Sequence, residues 1–160
     1  MTKIDGLGPD ALTAAVEPIR LLLVEDDPGD VLITREALEQ SKLIHHLDVV
    51  ENGEEAMAYL RHEGRFSDAT APHLVLLDLN LPRKDGKEVL AEVKGDPSLS
   101  HIPVIVLTTS EAEIDVIDTY QLHANTFITK PVDFERFHDV IRRIDDFFLT
   151  VVRLPNRSGG

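Results

Sequence analysis

Residues 21–30 read LLLVEDDPGD, and this stretch joins an apolar run to a crowded group of acids. Four aliphatic residues lead directly into Glu25, Asp26 and Asp27, and a proline and a glycine then end the run. Neighbouring carboxylates repel each other, and each opposes ionisation of the next. A chain tolerates such crowding where the side chains spread into water, or where a positive charge lies among them.

The bulk composition indicates one ordinary globular domain. The chain has 160 residues, of which 42% are hydrophobic and 28% charged, enough to bury a core. Its net charge of −13 argues against nucleic acid or an anionic membrane as the main partner, since both attract clustered Lys and Arg. No apolar run approaches the ~20 residues of a membrane span. With no cysteine, disulfides and Cys-ligated zinc are excluded, and a cytoplasmic protein fits.

The ends of the chain differ from its middle. Residues 1–18 contain two glycines and two prolines and lack the apolar segment of a signal peptide, so we expect a flexible leader. Residues 150–160 form a short C-terminal extension. Between them, we expect a single domain over residues 19–149.

Short apolar runs alternate with longer amphipathic ones through this domain. Several runs are apolar at consecutive positions, which is typical of strands covered on both faces. The five predicted strands are Arg20–Val24, Leu47–Val50, Leu74–Leu77, Val104–Leu107 and Phe127–Thr129. Strands that alternate with helices predict a parallel sheet with helices on both faces.

Five amphipathic segments mark the intervening helices. The first includes Val31, Ile33, Ala37 and Leu38, with Asp30 as its expected cap; the second Ala56, Met57, Tyr59 and Leu60; the third Val89, Leu90 and Val93, after Gly86 and before Gly95-Asp96-Pro97; the fourth Ile114, Val116, Ile117 and Tyr120; the fifth Phe134, Phe137, Val140, Ile141, Ile144 and Phe148. A glycine or proline next to such a segment is a usual helix boundary.

Polar residues follow four of the strands, at the edge where ligands bind in such sheets. They are Glu25, Asp26 and Asp27; Asp78; Thr108, Thr109 and Ser110; and Lys130, which precedes Pro131. Any one of these residues alone is better explained as a helix cap or a turn former. Together they form a complementary set of acids, hydroxyls and one ammonium, which favours a functional site.

This set of residues suits phosphoryl transfer to a carboxylate. Grouped carboxylates bind a hard divalent cation, most simply Mg²⁺, and an aspartate can act as a nucleophile toward phosphorus. The ammonium and a hydroxyl would balance charge on the phosphoryl oxygens. A cation between the acids would also explain their crowding.

The segments LLLVEDD, LVLLDLNLPRKDG, IPVIVLTTS and FITKP resemble, in this order, the receiver domain of two-component response regulators. The resemblance implies a flavodoxin-like (βα)5 fold of three layers, with a five-stranded parallel sheet in the order 2-1-3-4-5. It implies Asp78 as the phosphoacceptor. A Mg²⁺ ion is then held directly by Asp26, through water by Glu25, by Asp78 itself and by the main-chain carbonyl of Asn80.

The same resemblance assigns the switch residues. Thr108 matches the hydroxyl that moves toward the phosphoryl group, Lys130 matches the lysine that contacts it, and the Lys130–Pro131 peptide is expected to be cis. Two positions depart from the common pattern. Phe127 stands where a tyrosine is frequent, and Thr109 replaces a smaller residue and is expected to crowd access to the site.

The arrangement further resembles regulators that act alone with sensor histidine kinases of the phytochrome type. It implies signalling through a changed surface of the fourth helix, fifth strand and fifth helix. It also implies a homodimer through this surface and the C-terminal extension. The residues expected there are Val116, Phe127, Ile141, Ile144, Phe148 and Val152.

Three other functions are weighed against this interpretation. A phosphatase of the haloacid dehalogenase type needs a second acid two residues after its nucleophile, where this chain has Asn80. A flavin-binding flavodoxin must bind a phosphate at its first loop, which EDDPGD would repel. A receiver that acts as a scaffold without phosphorylation stays open, although every chemical group for phosphorylation is present.

Overall fold

The computed structural model of the chain describes residues 18–40, 44–109, 126–133, 135–137 and 139. Strands and helices alternate from β1 to β4, as predicted. They are β1 (Ile19–Val24), α1 (Pro28–Gln40), β2 (His45–Val50), α2 (Gly53–Leu60), a single 3₁₀ turn (Gly64–Phe66), β3 (Leu74–Asp78), α3 (Gly86–Gly95), β4 (Val104–Thr108) and β5 (Thr126–Thr129).

The five strands form one parallel sheet in the order β2-β1-β3-β4-β5. This confirms the flavodoxin-like topology. Because the strands are parallel and nearly in register, their carboxyl ends meet at one edge. Asp78 at the end of β3 lies beside Leu107 of β4, and Thr108 pairs with Thr129 of β5.

Burial explains the apolar composition of the central strands. Every residue of β3 and β4 is buried, because helices cover both faces of the sheet centre. The buried side chains divide into two clusters, one on each face, represented by Leu77 and Leu76. In β2, at the edge of the sheet, only Val50 is fully buried.

The start of α1 differs from the prediction. The helix begins at Pro28, whose fixed φ suits the first helical position. Asp27 is therefore the capping residue: its Oδ1 accepts a hydrogen bond from the Gly29 N–H at 2.9 Å, and its carbonyl accepts one from Val31 N–H. The prediction of Asp30 as the cap is wrong, because Asp30 already lies within the first turn.

Several predicted features fall outside the described residues. They include the whole fourth helix, most of the fifth helix, the leader up to residue 17 and the C-terminal extension. Of the fifth helix, residues 135–137 and 139 are helical, and Phe137 is fully buried. Within the described ranges, no helix combines the length and apolarity needed to cross a bilayer.

Truncation of a central core side chain is expected to destabilise the fold strongly. Leu76 of β3 is fully buried, so Leu76→Ala should lower the free energy of unfolding by about 3 kcal/mol, through lost apolar burial and the cavity left behind. Urea unfolding followed by circular dichroism measures the change. In the control Leu32→Ala, the side chain is 57% exposed, and the change should stay within about 0.5 kcal/mol. Equal losses in the two variants would contradict the described core.

Candidate functional site

Three carboxylates predicted to act together do converge at the carboxyl edge of the sheet. One oxygen from each of Glu25, Asp26 and Asp78 lies within 4.8 Å of the others. Glu25 and Asp78 are only 1% and 3% exposed, whereas Asp26 is exposed. The two buried acids thus form the floor of the group, and Asp26 faces the solvent side.

In the part of the chain that the structure describes, one ammonium group lies against these acids. Lys130 Nζ is 2.7 Å from Glu25 Oε1 and 3.1 Å from Asp78 Oδ2. It also donates a hydrogen bond of 3.0 Å to Asp30 Oδ2 in the first turn of α1. Because Lys130 follows the end of β5, this one side chain connects three separate parts of the chain at the site.

The pKa values of Glu25 and Lys130 are both raised above their ordinary values. Burial is the largest influence on the pKa of Glu25 and raises it to about 7, with Lys130 lowering it and Asp78 raising it. Burial alone would lower the pKa of Lys130, but its contacts with Glu25, Asp30 and Asp78 outweigh burial and raise the pKa above its ordinary value. Lys130 is therefore cationic at neutral pH.

The acid group fits a hard divalent cation such as Mg²⁺. Glu25 Oε1 is buried, and its neighbour of opposite charge among the described residues is the Lys130 ammonium at 2.7 Å. A buried carboxylate oxygen that contacts one ammonium beside two more carboxylates keeps a lone pair for metal coordination. Glu25, Asp26 and Asp78 are the residues that would hold the ion.

The loop after β3 positions the backbone around Asp78. The Asn80 N–H donates a 3.1 Å hydrogen bond to Asp78 Oδ1, and the Asn80 side chain is exposed. Leu79 N–H bonds the carbonyl of Leu107 on β4. The other Asp78 oxygen, Oδ2, lies 3.1 Å from Lys130 Nζ, so the two carboxylate oxygens have different surroundings.

Thr108 and Thr109, two of the residues predicted to contact the phosphoryl group or act in the switch, also lie at this edge. Thr108 is fully buried at the end of β4, and its carbonyl accepts a 2.7 Å hydrogen bond from Lys130 N–H. Thr109 is exposed. Its expected effect of crowding access to the site stays a prediction. The Lys130–Pro131 peptide is cis, as the family resemblance implies.

A cleft opens beside the acids along the loop after β3. It has a volume of about 520 Å³. Its lining residues are Asp26, Leu79, Asn80, Leu81, Pro82, Asp85 and Lys87. The cleft therefore borders the acid group on the side of Asp26.

Asp30 is the residue whose place the sequence did not predict. The segment PGD at the start of a helix is as well explained by capping as by an ion pair, and no local signal links it to a lysine 100 positions later.

Phe127, one of the predicted dimer residues, is half-buried and packs against the cluster that contains Leu77. The other predicted dimer residues, Val116, Ile141, Ile144, Phe148 and Val152, lie outside the described residues.

Comparison with known proteins agrees with this geometry. Residues 21–142 match the response regulator receiver domain. The chain is 45% identical to the response regulator Rcp1 of Synechocystis sp. (strain ATCC 27184 / PCC 6803 / Kazusa) over 138 residues, which cover 86% of this chain and 94% of Rcp1.

Two solved structures show the same similarity in three dimensions. The crystal structure of the phosphorylated cyanobacterial phytochrome response regulator RcpA is 46% identical with a TM-score of 0.70, covering 85% of this chain and 97% of RcpA. The Mn²⁺-bound form of Rcp1 is 44% identical with a TM-score of 0.69, covering 84% and 97%. This chain therefore belongs to the response regulator receiver family, and within it is similar to response regulators of phytochromes.

Proposed function

We propose that this protein is a response regulator that accepts a phosphoryl group on Asp78 in a Mg²⁺-dependent reaction. The supporting observation is the convergence of Glu25, Asp26 and Asp78 within 4.8 Å, with Lys130 3.1 Å from Asp78 Oδ2. The relatives add two facts of their own: RcpA has been crystallised phosphorylated, and Rcp1 with Mn²⁺ bound. The protein is then a signalling phosphoacceptor that catalyses only its own phosphorylation and dephosphorylation.

The proposed reaction transfers the phosphoryl group from a phosphohistidine to a carboxylate. An Asp78 oxygen forms a bond to phosphorus while the P–N bond of the donor breaks, and the imidazole nitrogen leaves with the electron pair. A bound divalent cation supplies positive charge for the phosphoryl oxygens. Asp78 is almost fully buried, and its carboxylate is held in place by the Asn80 N–H and the Lys130 ammonium.

Lys130 and Thr108 act on the product in this proposal. Lys130 already contacts Asp78 Oδ2, and after transfer its ammonium would pair with a phosphoryl oxygen. The Thr108 hydroxyl would donate one further hydrogen bond to the phosphoryl group. Because phosphorylation withdraws Lys130 from Glu25 and Asp30 in part, it changes the contacts of β5 and of α1 together.

The phosphate donor is proposed to be a sensor histidine kinase of the phytochrome type, in the cytoplasm. This proposal comes from the similarity to RcpA.

The output is proposed to be a changed surface of the fourth helix, β5 and the fifth helix, on which two copies associate as a homodimer. Light scattering of the protein with and without phosphorylation measures that association directly.

Phosphorylation is expected to depend on one carboxylate and on the cation. With acetyl phosphate and Mg²⁺ the protein should gain one base-labile phosphoryl group, and Asp78→Asn should abolish the gain because the amide is not a nucleophile. Intact-protein mass spectrometry measures it, and EDTA should prevent it in the native protein. The matched control is Asp27→Asn, since Asp27 only caps α1. Full labelling of Asp78→Asn would refute the assignment, and a receiver that is never labelled would support a scaffold.

Removal of the ammonium should make folding more dependent on the cation. Lys130 is 11% exposed and pairs with three carboxylates, so Lys130→Met should lower the free energy of unfolding by about 3 kcal/mol without divalent ions, because buried charges lose their partner. Mg²⁺ should recover part of this loss. Thermal unfolding with and without Mg²⁺ measures both effects, with the exposed Lys87→Met as control. If Mg²⁺ stabilised Lys130→Met and the native protein equally, this would contradict the idea that Lys130 and Mg²⁺ balance the same carboxylate charges.

A further inference from the structure

The loop from Leu79 to Asp85 packs against the first residue of α2, and this contact leaves no room for a side chain at Gly53. A Cβ atom on Gly53 would overlap the carbonyl oxygen of Lys84 and lie 2.7 Å from both the carbonyl carbon and the Cβ of Lys84. These are mainly backbone atoms, so no change of rotamer relieves the overlap. Either α2 or the loop would have to move.

The helix is the more firmly held partner in this contact. The Asn52 side chain accepts a 2.8 Å hydrogen bond from Glu55 N–H and caps α2. The helix buries Ala56 and Met57 against the sheet, and the Tyr59 hydroxyl donates a 2.5 Å hydrogen bond to Asp48 of β2. A side chain at Gly53 would therefore displace the loop rather than the helix.

The loop has little slack to absorb such a displacement. Its two ends are joined by a 3.1 Å hydrogen bond from Gly86 N–H to the carbonyl of Leu79. Gly86 itself abuts the backbone of Asp78, since a Cβ there would overlap the Asp78 carbonyl and lie 2.6 Å from Leu79 Cα. Movement at Lys84 is thus confined to the segment that carries Asn80.

We propose that Gly53 is a positioning residue for the metal and phosphoryl-transfer site. This inference rests on the proposed function. By allowing the Lys84 carbonyl to lie against α2, Gly53 sets the course of the loop, and with it the Asn80 main chain and the cleft beside Asp26. The neighbouring ion pair between Glu54 and Arg83 spans 2.9 Å on the surface, where such pairs contribute little to stability. The steric contact between Gly53 and Lys84 is therefore what holds the loop against α2.

The substitution Gly53→Ala tests this role with a matched control. Gly95→Ala places the same methyl group where nothing lies within 4 Å. Mn²⁺ binding is followed by electron paramagnetic resonance, because the chain has no tryptophan to report on the site. Gly53→Ala should bind Mn²⁺ about tenfold more weakly, as for other residues that orient metal ligands. Gly95→Ala should stay within about twofold of the native protein.

Phosphorylation kinetics give a second measurement that general destabilisation would not move in the same way. With acetyl phosphate as donor, Gly53→Ala should raise the Mg²⁺ concentration for half-maximal labelling about tenfold, while saturating Mg²⁺ recovers most of the maximal rate. Glu54→Gln should behave like the native protein. A native-like Mn²⁺ affinity in a folded Gly53→Ala variant would overturn the positioning role alone. Absence of Mn²⁺ binding and labelling in the native protein would instead overturn the proposed function, and this inference with it.

Nuclear magnetic resonance of the native protein decides the question if Gly53→Ala does not fold. On addition of Mg²⁺, the amide signals of Gly53 and Lys84 should shift together with that of Asn80, because the contact transmits the rearrangement of the loop. The Gly95 amide should not shift. Shifts at Asn80 without any at Gly53 and Lys84 would overturn the positioning role.

Discussion

The attraction between one ammonium group and three carboxylates organises the functional end of this molecule. Lys130 lies 2.7 to 3.1 Å from Glu25, Asp30 and Asp78, and two of these acids are almost fully buried. Buried charges are tolerated only when they are paired. Among the described residues, these three acids pair with Lys130 alone, and a group with more carboxylates than cations suits a divalent ion.

The sheet supplies the geometry that this attraction requires. Parallel strands in the order β2-β1-β3-β4-β5 bring the residues after β1, β3 and β5 to one edge, and full burial of β3 and β4 makes the centre of that edge rigid. The loops that follow the strands supply the rest of the site geometry. The backbone of the loop after β3 is held by packing against α2 and α3, so a glycine can matter as much as a charged residue.

Much of this could be predicted from sequence because the relevant signals are local. Consecutive apolar residues such as Leu74–Leu77 predict central strands, and Gly86 and Gly95 bound α3 as predicted. The acids and the lysine follow strands, so the topology alone brings them together. The ion pair of Asp30 with Lys130 could not be predicted, since a helix start has the same composition with or without a distant partner. The contact of Gly53 with Lys84 could not be predicted either, because a glycine at the start of a helix usually indicates only a turn.

The spread of the site along the chain has a consequence for its biogenesis. Its charged side chains follow or end three different strands, from Glu25 after β1 through Asp78 at the end of β3 to Lys130 after β5. Contacts between positions so far apart in the chain cost more loop-closure entropy than local contacts and form more slowly. While β5 is still unpaired, Lys130 is therefore absent from the acid group, and the charged site is complete only when β5 has joined the sheet.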